Sequence, residues 1–145
     1  MDKKYKEEKY SKVGSNVNKE EYLRIVDNLK LDKHEYCIIA SGSLLMHGLT
    51  DSCNDVDIRV SKELFDKLMD KYHMRQSDRY DYVYELSDNI DVNCKNFNKD
   101  NIEIVDDYPV EKLEINLEWM ITNNRDKDKE KIRIIKEYLE NKKSV

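Results

Sequence analysis

The chain has 145 residues, with 26 Lys and Arg against 31 Asp and Glu and a formal net charge of −5. That length suits one domain with its own core rather than two. No stretch nears the roughly 20 apolar residues of a helical membrane span, and no basic stripe interleaved with aromatics marks a binder of nucleic acid by electrostatics alone.

The acids concentrate in residues 51–107, whereas residues 108–145 are near balance. Cys37, Cys53 and Cys94 are odd in number and lack C-x-x-C spacing, so neither a disulfide framework nor a zinc site is indicated. The start, Met1 to Glu8, lacks the apolar core of a signal peptide. A cytoplasmic protein with reduced thiols is expected. The wealth of Lys, Asn, Asp, Ile and Tyr resembles an AT-rich bacterial or phage coding bias.

In chain order, residues 1–17 read as a flexible, charged arm and residues 18–145 as one domain. Asn18 is expected to cap a helix whose apolar face is Tyr22, Leu23, Ile25, Val26 and Leu29. Tyr36 to Ala40 reads as a short apolar strand, and Ser43 opens a helix that Gly48 stops. Asp55 to Val60 alternates acid and apolar residues, as a strand buried on one face does. Ser61 starts a helix carrying Leu64, Phe65, Leu68 and Met69 inward. Tyr80 to Leu86 reads as a strand with Tyr80, Tyr82 and Tyr84 on one face, packed on a helix; Ile90 to Phe97 returns as its partner. Ile102 to Val105 is a further strand. Pro109 fits the first turn of a helix through Leu113, Leu117 and Ile121, which Asn123 and Asn124 break. A last helix carries Ile132, Ile135 and Leu139 on one face. The expected fold class is α/β (α+β), a mixed β-sheet flanked by helices.

The most informative stretch joins Gly42-Ser43 to Asp55-Val56-Asp57-Ile58. Side chains two apart on a strand point the same way, so Asp55 and Asp57 project from one face. Adjacent carboxylates repel unless a cation sits between them, and hard oxygen ligands suit Mg²⁺ together with substrate phosphates. Ile90-Asp91-Val92 frames a third acid, which joins the pair if its strand lies beside theirs. Asp-x-Asp triplets are common in so acidic a chain, and Asp126-Lys127-Asp128 is another without the alternation.

Gly42-Ser43, the eleven-residue gap, Asp55-Val56-Asp57-Ile58 and Ile90-Asp91-Val92 together resemble the signature of the nucleotidyltransferase superfamily. It includes DNA polymerase beta, the aminoglycoside and lincosamide nucleotidyltransferases, and the minimal nucleotidyltransferases of toxin–antitoxin systems. Arg125-Asp126-Lys127-Asp128 is similar to the Arg-x-Lys-Asp segment of the small antibiotic-modifying and AbiEii-like members. The resemblance implies a nucleotidyltransferase-like fold and transfer of an NMP from an NTP, such as ATP, to an acceptor hydroxyl with loss of pyrophosphate. It implies that Asp55, Asp57 and Asp91 hold two Mg²⁺ ions, with Asp91 also able to take the acceptor's proton. It further implies that Gly42 and Ser43 bind the β- and γ-phosphates, and Lys127 is a candidate phosphate contact. The acceptor is a small molecule, a tRNA end or a protein, and a homodimer or partner subunit is expected to complete its pocket.

The chain departs from that pattern at two places. Cys53 and Ser52 stand where many small members carry Ser or Thr preceded by Arg, and Glu118, Trp119 and Met120 stand where a helix Lys is common. Both departures remove groups that help to hold triphosphate. They favour a rival reading, a catalytically silent binding module acting as a phage accessory or toxin–antitoxin partner. Of the remaining polar residues, His47 is expected to cap or pack, His34 and His73 to lie on the surface, and Arg59 to pair with a carboxylate.

Overall fold

The computed structural model describes residues 16–143, so the first fifteen residues of the expected arm lie outside the described part. The elements are α1 (Lys19–Asn28), β1 (Tyr36–Ile38), α2 (Ser41–Met46), β2 (Val56–Val60), α3 (Lys62–Tyr72), β3 (Arg75–Gln76), β4 (Tyr84–Ser87), β5 (Ile90–Asn93), β6 (Ile102–Val105), β7 (Tyr108–Glu111), α4 (Leu113–Asn123) and α5 (Lys129–Lys143). The seven strands form one mixed sheet in the order β3-β4-β5-β2-β1-β7-β6. The expected α/β class, a mixed sheet with flanking helices, is what the chain adopts. Among the described residues no helix is long and apolar enough to cross a membrane.

Local chemistry explains the helix starts. Asn18 accepts from the Glu21 N–H while the Glu21 carboxylate accepts from the Asn18 N–H, a reciprocal capping box. Just before it, Val17 exchanges both backbone bonds with Cys53 and so stitches the entry of α1 to the segment leading into β2. Ser61 caps α3 through the Leu64 N–H. Val56, Ile58 and Val60 turn inward and join Tyr22 and Val26 of α1 and Leu68 of α3 in the main core. A second cluster of Leu44, Leu113, Met120 and Ile135 packs α2, α4 and α5 together.

Three expectations change. Tyr80 and Tyr82 are not in a strand: β3 pairs with Tyr84 and Glu85, so the preceding residues must turn over as its hairpin loop, closed by Val83 N–H on Tyr80 O. Only Tyr84 packs on α3, edge-to-face against Phe65. Pro109 lies in β7 rather than at a helix start. Asp106 and Asp107, with φ of 50° and 72°, form a two-residue turn of the hairpin-favouring hand, and the chain returns as a strand. Val105 pairs Tyr108 across that turn, so the next pair, Ile104 with Pro109, is a non-hydrogen-bonded one and the missing N–H removes no bond to β6. Finally, β1 ends at Ile38, two residues before the expected Ala40.

Asn18→Ala removes one half of the capping box and leaves the fold otherwise untouched. Its cost is about 1 kcal/mol, read as a lower urea midpoint at an unchanged slope.

Candidate active site

Parallel pairing of β2 with β5 places Asp57 directly beside Asp91, with Val56 beside Ile90 and Ile58 beside Val92. The apolar residues of both strands face the core, which sends Asp57, Arg59, Asp91 and Asn93 to the opposite face. Asp55 lies in the bend immediately before β2 rather than within the strand. All three aspartates line one cleft of about 1390 Å³, whose floor is this face of the sheet.

Gly42 and Ser43, the expected phosphate contacts, do not line that cleft. Gly42 is buried, and a β-carbon built there would stand 2.5 Å from Ile38 Cγ2 and 2.8 Å from Tyr22 Cζ, closer still to the Tyr22 hydroxyl. Packing against Tyr22 of α1 and Ile38 of β1 leaves room only for glycine there. Ser43 is fully buried, and its hydroxyl lies 3.1 Å from both Ile38 O and Glu111 O, sharing its one proton between the two carbonyls. The wall is made instead by Ala40 and Ser41. Ala40 has φ 56° and ψ −134°, a conformation glycine adopts freely and a β-carbon opposes at roughly 1–3 kcal/mol. Asn116 of α4, itself buried, holds the strained turn by accepting from the Ala40 N–H at 3.0 Å.

The segment from Arg125 to Lys131 lines the same cleft and gives it a cationic wall. Arg125 donates through Nε to Asp128 at 2.6 Å, and Asp128 is fully buried. Lys127 lies beside them in the cleft lining; partial burial and then the charges of Arg125 and Arg79 hold its ammonium below the usual lysine value. Lys131, on the first turn of α5, reaches Ser41 Oγ at 3.3 Å and so joins the cationic wall to the Ala40 turn. Lys131 and Asn116 escaped the sequence reading. For Asn116 a signal existed: a polar residue at the inward spacing of Leu113 and Met120.

Deeper along the floor, Arg59 donates to Glu111 Oε2 at 3.1 Å, to Asn93 Oδ1 at 3.0 Å and to Lys95 O at 2.6 Å. Burial raises the Glu111 carboxyl above its usual value, and the Arg59 guanidinium opposes that rise. His47 packs as expected, with Nδ1 2.7 Å from Ser43 O and Nε2 3.3 Å from Glu103. Cys53, in the place where Ser or Thr was looked for, is buried. Burial first, and then the charge of Asp57, push its thiol up to about 12, so it stays protonated.

Carboxylates suit a hard divalent cation, and the register of β2 and β5 supplies two of them side by side with a third close by in sequence. As the side chains stand, no group of three His, Cys, Asp or Glu residues among the described ones closes a metal cage. No protein-family model, curated protein or solved structure matches the chain.

Arg59→Leu leaves Glu111 buried without its cation, a change that costs roughly 3–5 kcal/mol. The folded Glu111 carboxyl binds its proton more tightly than the unfolded one, so the loss shrinks in acid and deepens as pH rises through its value. Denaturation of the variant at a series of pH values checks both the size and the sign.

Proposed function

We propose that the protein transfers a nucleoside monophosphate from an NTP to an acceptor hydroxyl, using divalent metal held by Asp55, Asp57 and Asp91. The observation that carries this reading is the pairing of Asp57 with Asp91 on the floor of a cleft that Arg125, Lys127 and Lys131 also line. Acids and cations lining one cleft suit a triphosphate with its cations. Bound divalent metal would supply Lewis-acid stabilisation of the attacking and leaving oxygens of an in-line displacement. Asp55 and Asp57 orient the triphosphate through that shared charge. Asp91, approaching from the neighbouring strand, takes the proton of the acceptor hydroxyl as its oxygen bonds the α-phosphorus. The bond to the β-phosphate oxygen breaks, and pyrophosphate leaves against Lys127 and Lys131.

The rival reading, a catalytically silent binding module acting as a phage accessory or toxin–antitoxin partner, draws on the inward turn of Gly42 and Ser43. Incubation with NTPs labelled at the α-phosphate, Mg²⁺ and candidate acceptors (small-molecule antibiotics, tRNA and lysate protein) separates the two. Label transfer is expected from the wild type and is expected to fall about 10²- to 10⁴-fold in Asp91→Asn at nearly unchanged nucleotide affinity. No transfer from the wild type, and above all no NTP binding in the presence of Mg²⁺, supports the silent module.

Metal is tested separately. Mg²⁺ is expected to raise the melting temperature of the wild type by binding the folded state alone, and chelation to reverse it. Asp57→Asn is expected to abolish that increment, and an equal increment in wild type and variant would contradict the assignment.

A further inference from the structure

Three aromatic side chains from two distant segments meet at the cleft. Tyr80 and Tyr82 come from the β3–β4 hairpin loop and Trp119 from α4, and all three line the cavity. The Tyr80 and Tyr82 rings lie 5.7 Å apart, and Tyr80 meets Trp119 edge-on at 6.3 Å. Cations interleave with them. Arg125 sits 4.8 Å over the Trp119 ring and reaches the Tyr80 hydroxyl at 3.4 Å, while Lys95 lies 4.4 Å over Tyr82. All three rings are half-buried, and Trp119 rests in part on the Leu44, Leu113, Met120 and Ile135 cluster, which fixes it at the cleft. A half-exposed row of rings bordered by guanidinium and ammonium groups is a stacking surface for planar, electron-rich rings beside a phosphate.

We infer that Tyr80, Tyr82 and Trp119 form a nucleobase-stacking subsite, with Arg125 and Lys127 taking the phosphate attached to the stacked base. The inference deepens the transferase reading by naming the ligand of the cleft's outer half, and it needs no metal. The base belongs either to the NTP or to the end of a single-stranded nucleic-acid acceptor; its chemistry is the same. The hairpin loop shapes the subsite: because β3 forces the chain to turn before Tyr84, Tyr80 and Tyr82 leave the strand and face the cleft.

Trp119 is the only tryptophan of the chain, so its fluorescence reports stacking directly. The wild-type protein in EDTA is titrated with ATP, with a single-stranded oligoadenylate, and with two ligands lacking a base, tripolyphosphate and ribose 5-phosphate. Saturable quenching by a base-bearing ligand and none by the baseless ones is expected. Quenching by ATP assigns the subsite to the donor nucleotide; quenching by the oligonucleotide alone assigns it to the acceptor. The double variant Tyr80→Leu/Tyr82→Leu is expected to weaken that binding about 5- to 100-fold, and Tyr80→Phe/Tyr82→Phe to restore it. Equal quenching by tripolyphosphate, no quenching by either base-bearing ligand, or unchanged affinity in a folded Leu variant overturns the inference. Because EDTA removes transfer from the experiment, quenching that persists in a protein with no label transfer defeats the transferase reading alone.

Discussion

Two carboxylates stand side by side in this molecule because β2 and β5 run parallel in a register that pairs Asp57 with Asp91. Like charges at neighbouring positions on one sheet face oppose each other, and nothing in local propensity asks for them. What holds them is the other face of the same strands. Val56, Ile58 and Val60 on β2, with Ile90 and Val92 on β5, are nearly or fully buried against α1 and α3. A slip of one residue would bury the acids and expose that core, so the apolar face dictates the acidic one. The two acids are thereby held at neighbouring positions on the cleft floor.

The rest of the cleft is arranged around that floor by buried polar groups, each tied to a partner. Asn116 holds the strained Ala40 turn, Ser43 links the ends of β1 and β7, and Arg59 binds Glu111 and Asn93 beneath the cavity. Removing one partner from such a set strands the other, which makes these residues costly to change one at a time. Lys131 bridges to Ser41, so the wall carrying the cations is fixed to the turn. The cationic wall and the acidic floor thus have defined relative positions before any ligand arrives.

Much of this was legible in the sequence. Alternation along Val56–Val60 announced which side chains face the cleft, the capping signals of Asn18 and Ser61 placed two helix starts, and Asp91 was expected beside Asp57 from its apolar frame. In each misreading the outcome is decided by a partner or turn that the residues' own pattern does not announce. Gly42 reads as a phosphate turn until α1 brings Tyr22 against its α-carbon. Tyr80 to Leu86 alternates like a strand, yet the two-residue β3 claims only its last part. Pro109 looks like a helix start unless Asp106-Asp107 is seen as a hairpin turn, which acids enter less readily than Asn-Gly. Trp119, Tyr80 and Arg125 carry no shared pattern in sequence, and only folding assembles them.

The central claim is that Asp55, Asp57 and Asp91 act as one divalent-cation site. Mn²⁺ titrated into isotope-labelled protein tests it through paramagnetic broadening of backbone amide signals. The account predicts that amides around Asp55, Asp57 and Asp91 broaden first and together, and that Asp57→Asn removes the effect. Broadening that begins elsewhere on the acidic surface, or that survives Asp57→Asn unchanged, would contradict it.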